Sequence, residues 1–534
     1  MTQLSRSQQG RRPIAALETV RTATWCGVLL VFVSAALYLA TAQREPAFWD
    51  TGEMQVVPWI FGIAHPTGFP AFVLGGYAFA HVVALGSVAW RMAAFSALAV
   101  VVATFALYRT ALRLTGHVAI SFGASLLFAT CNIVWLHATR AEVHALSLGL
   151  VSVAVLLAVR FHDGEGDANL RYAGVAYGLA LATHPVALWA APGLLLIVAR
   201  ASALRKTSSS AGAGAVLALQ TCACVVLAAT LPYGYLPLRS AAVYAARRDP
   251  TLSLGFAPGM PFWDYAHTAV PKNLWWLVTG QQFDKADGLA VYTHPLRWAA
   301  VAAHFIALAG RQFTPLGVAF ALVGALTLVV RRLQLAAGLL AAGFLGVPFA
   351  FAYSLEADKD RYLLLALWMM SLFVACGASA AVGGTRRWVR RPLVFGGVAL
   401  AGVLIALAGW DAWNARGIVA IERDLTARRY ITATERISTP TAIVVAPWVY
   451  ATPLAYAAYV ERNFGRRIVV TAEPQSLAGR MAAWSNRHCV IAVWDRPALV
   501  LKGLRVSRPL TARAPFLFRV TAGPNRCVVR GNHA

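Results

Sequence analysis

Phe48-Trp49-Asp50-Thr51-Gly52-Glu53, followed shortly by Ala64-His65-Pro66-Thr67-Gly68-Phe69-Pro70, lies just after the first long apolar run of the chain. It sets two carboxylates beside a membrane in a sequence with 22 acidic residues against 47 basic ones. Charge at that position is costly unless it has a task. If the segment opens a helix, Asp50 and Glu53 stand at i and i+3 and share a face. Two readings follow: chemistry by an acidic pair, or a capping box in which Asp50 or Thr51 caps a short interfacial helix.

The surrounding composition places the chain in the bilayer. Of 534 residues, 59% are hydrophobic and 13% charged, about half the charged share of a soluble domain. The net charge of +25 does not mark a nucleic-acid binder, because the arginines are scattered between apolar segments and form no single stripe. Cytoplasmic-loop arginine and anionic lipid account for it. Cys26, Cys131, Cys222, Cys224 and Cys376 fall in apolar runs and read as packing residues. Cys489 and Cys527 lie in the polar C-terminal part and could pair if that part is exported. The cysteines show no metal-ligand spacing.

Residues 1–23 form a basic N-terminal tail, and the run 24–42 reads as an uncleaved first membrane helix. Further apolar runs cover 66–86, 92–109, 117–135, 141–159, 171–199, 211–231, 314–330, 335–352, 361–383 and 392–410. The run 171–199 breaks at Thr183-His184-Pro185 into two short arms. Placing Arg109, Arg113, Arg160, Arg171, Arg200, Arg205, Arg331, Arg332 and Arg386–Arg391 on the cytoplasmic side agrees with a cytoplasmic N-terminus only if one early run does not cross. The run 66–86, which opens Pro66-Thr67-Gly68-Phe69-Pro70, is that exception: a re-entrant or interfacial helix, leaving about eleven crossings. Asp50, Glu53, His65, Arg140, Glu142, His144, His184, Asp264, Lys272, Asp358, Asp360 and Arg361 then all emerge on the external face.

Two external loops, 43–90 and 232–313, flank the early and middle spans of the membrane domain, 24–410. The second holds Leu274-Trp275-Trp276-Leu277-Val278-Thr279-Gly280-Gln281-Gln282-Phe283, which reads either as a headgroup-level aromatic belt or as a loop folded over a lipid-linked ligand. From 411 the hydrophobic runs shorten. Ala442–Val445, Arg467–Val470, Val490–Val493 and Phe516–Val520 read as strands, with a helix near 413–436, giving a small extracytoplasmic α/β domain over 411–534. No Gly-rich nucleotide loop occurs, which argues against a nucleotide-driven pump.

These residues, in this order, resemble the GT-C class of membrane glycosyltransferases, and within it the multi-span bacterial family related to the animal transmembrane protein O-mannosyltransferase. The resemblance rests on Asp50-Thr51-Gly52-Glu53 with His65-Pro66, Arg140-Ala141-Glu142-Val143-His144, Thr183-His184-Pro185, Leu277–Phe283, Asp360-Arg361-Tyr362, and Trp448 with Thr452-Pro453-Leu454. This chain departs from the family pattern at Pro66-Thr67, where Pro-Pro is common, and at His144, where an aromatic tyrosine is common.

The resemblance implies a multi-pass plasma-membrane enzyme. It would transfer a sugar, mannose on the animal precedent, from a polyprenyl-phosphate donor to an acceptor hydroxyl on a protein or glycan, with inversion. No cofactor, divalent metal or nucleic acid is required. Asp50 would be the general base, with Glu53 orienting it or substituting for it. Arg361, Arg140 and Lys272 would hold the leaving phosphate, with His65 or His184 donating. Glu142, Gln281 and Asp360 complete the expected substrate-binding set. A lipid transporter or flippase is the rival from another class, but it predicts mid-span charges and inverted repeats, and neither is evident. A non-catalytic relative that binds an envelope partner is a third possibility, against which the retained acidic pair weighs.

Overall fold

A computed structural model describes residues 6–205, 211–283, 291–294, 296–353, 358–384, 392–414, 417, 421–496, 498–510, 516–523 and 526–527. The membrane part begins with α1 (Arg6–Ala40), then α2 (Trp49–Ile60), α3 (Pro70–Val82), α4 (Val88–Thr115), α5 (Val118–Thr130), α6 (Asn132–Ala138), α7 (Val143–His162) and α8 (Ala168–Thr183). It continues through α9 (Ala191–Arg205), α10 (Ala211–Thr230), α11 (Tyr235–Ala245), α12 (Pro271–Val278), α13 (Leu296–Arg331), α14 (Leu333–Phe344), α15 (Val347–Ala352), α16 (Leu364–Gly384) and α17 (Pro392–Asn414).

Among the described residues eight helical stretches are long and apolar enough to cross a membrane, or nine if α5 and α6, bent by 66° about Cys131, form one span. The break at His184 leaves α8 with 16 residues and α9 with 15, short of the roughly 20 that a full span takes. Both arms nevertheless run between the two ends of the bundle. His184 stacks on Phe69 at one end, while at the other His162 Nδ1 donates to the Ile197 carbonyl (2.8 Å). Among the described residues, the eight or nine long apolar stretches reach the eleven crossings expected from parity only if both of these short arms also cross. Helix α3 has 13 residues and reaches about 20 Å, short of a full span.

The ends differ in character. Arg113, Arg160 and Arg332 gather around Asp163 and Glu165 at one of them. The first loop, the α6–α7 junction and the start of α16 meet at the other, where Gln43 N–H donates to the Thr139 carbonyl (2.8 Å). Small residues let the helices close up between them: a Cβ at Gly324 of α13 would fall 1.9 Å from the Phe373 carbonyl, and one at Gly377 of α16 1.9 Å from that of Phe320. Backbone approach of this kind is how apolar helices associate in lipid.

The expected loop 232–313 is largely helical. After a short 3₁₀ turn α10 continues as α11, and α13 starts at Leu296, ahead of the expected 314, with a kink at Thr314-Pro315. Arg297, His304 and Arg311 interrupt the apolar run, so hydropathy alone starts this helix late.

The C-terminal part contains α18 (Thr426–Ile437), β1 (Ile443–Ala446), α19 (Trp448–Ala455), β2 (Ile468–Thr471), α20 (Ala478–Ser485), β3 (Val490–Val493), β4 (Arg505–Val506) and β5 (Leu517–Thr521). The expected helix near 413–436 is divided, since α17 ends at Asn414 and α18 begins at Thr426. The sheet order is β2-β1-β3-β5-β4, with β1 parallel to β2 and β3, and β5 antiparallel to β3 and β4. Strands β1 and β3 are buried along their length, as a sheet covered on both faces requires. Ile443, Val445, Val490 and Phe518 pack with Met481 on one face. Val444, Ala446, Ile491 and Val493, on the other, share a core with Met54, Val57 and Phe72 of the first loop region. A disulfide joins Cys489 to Cys527.

Helix α2 is therefore clamped between the bundle and the C-terminal domain, and Gly52 is the contact point. A Cβ there would sit 2.1 Å from the Ala47 carbonyl and 2.9 Å from the Thr452 side chain. Gly52→Ala is expected to cost about 1–3 kcal/mol through overpacking and to loosen the C-terminal domain. Thermal unfolding and limited proteolysis of the purified variant would read this out.

Candidate active site

Helix α2 begins with Asp50 in its first turn, where a carboxylate meets the positive end of the helix dipole. One Asp50 oxygen accepts a hydrogen bond from Arg361 Nη2 at 2.8 Å. The guanidinium is buried, with 7% of the residue exposed, so the ion pair supplies the partner that a buried charge needs. Glu53, one turn on, is fully buried. It accepts the backbone N–H of His65 (3.0 Å) and a short hydrogen bond from His65 Nδ1. The turn that returns His65 to α2 closes with Gly68 N–H on the His65 carbonyl (2.7 Å), and Gly68 has a φ of +86°, which glycine adopts without strain.

Aromatic rings extend the cluster. The His65 ring stands edge-on to Phe69 (4.9 Å) and Trp448 (5.4 Å), with Phe283 at 6.5 Å. Phe69 stacks on His184 with an interplanar angle of 6°, and His184 lies 4.2 Å from His144. Trp49 and Phe69, on either side of the acidic pair, both hold positive φ, a strain that the surrounding packing must sustain.

From His144 the cluster closes on itself. Its Nδ1 donates to Glu142 Oε1 at 2.8 Å. The other Glu142 oxygen lies 3.3 Å from Arg140 Nη2 and 3.9 Å from Arg361 Nη1. Arg140 also donates to His137 Nδ1 (2.8 Å) and pairs with Asp358. Asp50, Glu53, His65, Arg140, Glu142, His184 and Arg361, widely separated in sequence, thus form one ring of charged and aromatic groups.

Three expected site residues are not drawn into it. Lys272, in the first turn of α12, and Gln281 are exposed, because α12 turns Leu277 inward against Ile63 and Leu236. No hydrogen bond or ion pair among the described residues joins Asp360 to the ring. Conversely, sequence reasoning did not put His144, Phe69, Tyr362, Trp448 or Asp358 in the site set. The Arg140-Ala-Glu142-Val-His144 spacing was the available signal for His144.

An apolar cavity opens from the ring. His144, Arg361 and Tyr362 form its polar end, and Leu148, Val151, Trp189, Leu364 and Leu365 line the remainder. The His144 Nε2 atom, buried, has no hydrogen-bond partner among the described residues. Among those residues no group of three or more His, Cys, Asp or Glu side chains could hold a metal ion.

Comparison with known proteins shows what the chain is similar to. The fold is that of ArnT: ArnT from Cupriavidus metallidurans bound to undecaprenyl phosphate aligns with a TM-score of 0.53 at 12% identity over 92% of this chain and 97% of that one. Its apo form aligns with a TM-score of 0.52 at 14% identity, over 94% and 100%. Residues 50–207, from Asp50 to just beyond α9, match the Protein O-mannosyl-transferase TMEM260 N-terminal domain. The chain is 29% identical over 237 residues to mouse Protein O-mannosyl-transferase TMEM260, covering 43% of this chain and 33% of that protein. It is 28% identical over 149 residues to Dictyostelium discoideum Protein O-mannosyl-transferase tmem260, covering 28% and 18%. The chain thus spans a third or less of the curated relatives it matches.

Burial lowers the proton affinity of His65, but the charge of Glu53 and the hydrogen bond to it reverse the effect and push the imidazole pKa up to about 9. In the unfolded chain the value is about 6.5. The pair therefore contributes its full stabilisation below that pH and loses it as pH rises through about 9. Stability of the purified protein is expected to fall between these limits, and Glu53→Gln to flatten the profile. Ring-nitrogen NMR of histidine-labelled protein should find His65 protonated at neutral pH in the wild type and neutral in Glu53→Gln.

Proposed function

We propose that the ring is the active centre of an inverting glycosyl transfer from a polyprenyl-phosphate-linked sugar to an acceptor hydroxyl. The observation that carries the reading is the Asp50–Arg361 pair at the mouth of an apolar cavity. The apolar lining of Leu148, Val151, Leu364 and Leu365 suits the isoprene units nearest the phosphate, which would arrive beside Arg361 and His144. The binding of undecaprenyl phosphate by ArnT supports this class of donor, and the naming of the curated relatives supports mannose and a protein hydroxyl.

In the step, the acceptor oxygen attacks the anomeric carbon while its proton passes to Asp50. The bond from that carbon to the phosphate oxygen breaks, and the growing negative charge is held by Arg361 through charge-assisted hydrogen bonds. Arg361 serves Asp50 before donor arrives. A phosphate that competes for the guanidinium frees the Asp50 oxygen for the acceptor hydroxyl. Glu53, with both oxygens engaged by His65, positions that imidazolium and is not the base. Glu142 orients His144 and Arg140, and His184 packs between His144 and Phe69.

We assign the ring to the extracytoplasmic side, with the N-terminus cytoplasmic. The Cys489–Cys527 disulfide supports this, since such bonds persist in oxidising compartments. The Arg113, Arg160 and Arg332 cluster at the opposite end supports it through the bias of basic residues toward the cytoplasm.

Incubation of purified protein with labelled polyprenyl-phosphate mannose tests the assignment. Asp50→Asn is expected to lower transfer by about 10²–10⁴-fold with donor affinity retained. Arg361→Gln should weaken both donor binding and turnover. Wild-type transfer by Asp50→Asn would remove Asp50 from the mechanism.

A further inference from the structure

A second cavity lies at the other end of α2, away from the charged ring. Arg239, Arg248 and Arg462 converge on it, between walls that include Trp59, Trp263 and Tyr459, and no carboxylate lines it. Arg239 is fixed: Nη2 donates to the Ile60 carbonyl at 3.1 Å, Nε donates to that of Phe61, and the guanidinium sits 5.5 Å from the Phe61 ring centroid. Arg248 and Arg462 are exposed, and neither makes an ion pair among the described residues. Asp264, whose charge also acts on Arg239, gives one oxygen to His267 (2.7 Å), and Asp249 gives one to Thr251 (2.9 and 2.7 Å); neither pairs with Arg248 or Arg462 among the described residues. Trp263 Nε1 is sealed from solvent with no hydrogen-bond partner among the described residues.

The flanks of the cavity are apolar and outward-facing. Val82, at the end of α3, is 82% exposed and Leu238, beside Arg239, is 74% exposed. Leu85, just beyond α3, is also exposed. Such side chains belong against acyl chains, and indole and phenol rings beside them mark headgroup depth. Guanidinium groups match phosphate oxygens in geometry and charge. We infer that this cavity binds the phosphodiester headgroup of an anionic phospholipid, with its acyl chains against Val82, Leu85 and Leu238. A zwitterionic lipid brings its own cation and leaves Arg248 and Arg462 uncompensated. Through Arg239 the bound lipid would also brace the last carbonyls of α2, the helix that begins with Asp50.

The test is binding to the purified full-length chain in neutral detergent, followed by native mass spectrometry and thermal unfolding. Phosphatidylglycerol, phosphatidylcholine with the same acyl chains, and inorganic phosphate are titrated separately. Phosphatidylglycerol is expected to bind preferentially and raise the Tm. The affinity should fall about five-fold per arginine removed, or roughly thirty-fold in Arg248→Gln/Arg462→Gln. If that double variant does not run as a single species, Arg462→Gln alone should still show the five-fold loss. Equal binding of the two lipids, or unchanged phosphatidylglycerol affinity in the glutamine variants, would overturn the inference. Inorganic phosphate stabilising as strongly as the lipid would overturn the lipid assignment in favour of a free-anion site. These readouts are of binding alone, so they stand or fall separately from the glycosyl-transfer reading.

Discussion

A guanidinium buried at the end of a membrane helix must find an anion, and in this chain Arg361 finds Asp50, 311 residues away in sequence. The cost of leaving either charge unpaired in a low-dielectric setting is several kcal/mol, so the pair ties the first loop to the start of α16. The other elements of the site converge on that contact. Glu142 approaches Arg361 from the α6–α7 junction, His144 follows it, and His65 and Glu53 close the ring from the α2–α3 turn.

Two kinds of packing make the convergence possible. Within the bundle, Gly324 and Gly377 bring α13 and α16 to backbone contact, setting the axis along which Arg361 is presented. Outside it, one face of the C-terminal sheet shares its core with α2 and α3. That sharing seats Thr452 on Gly52 and Trp448 beside His65. The C-terminal domain is accordingly a wall of the ring, and the geometry of a centre built this way depends on its docking.

The same clamp explains why the acidic pair divides into two roles. Asp50 and Glu53 stand one helical turn apart, but only Asp50 remains partly open, while Glu53 is closed in by the His65 turn. Spacing alone treats the two carboxylates alike; burial distinguishes them. Lys272 and Gln281 show the converse. Both belong to a stretch that reaches the site, through Leu277 and Phe283, yet their own side chains are exposed.

By itself the sequence determined the membrane class, the break at His184, the cores of four of the five strands, and the motifs of the ring. These follow from local rules: apolar run length, residues that end helices, short apolar runs bounded by polar residues, and the cost of charge near lipid. The tertiary structure decided that α11 and the first half of α13 are helical, that the possible Cys489–Cys527 pairing is made, and that His144 and Trp448 meet the ring while Lys272 and Gln281 stay exposed. Those outcomes depend on which faces meet across hundreds of residues. Contacts between distant segments are set by packing and by the need to neutralise buried charge, and neither is written in the residues on either side of a motif.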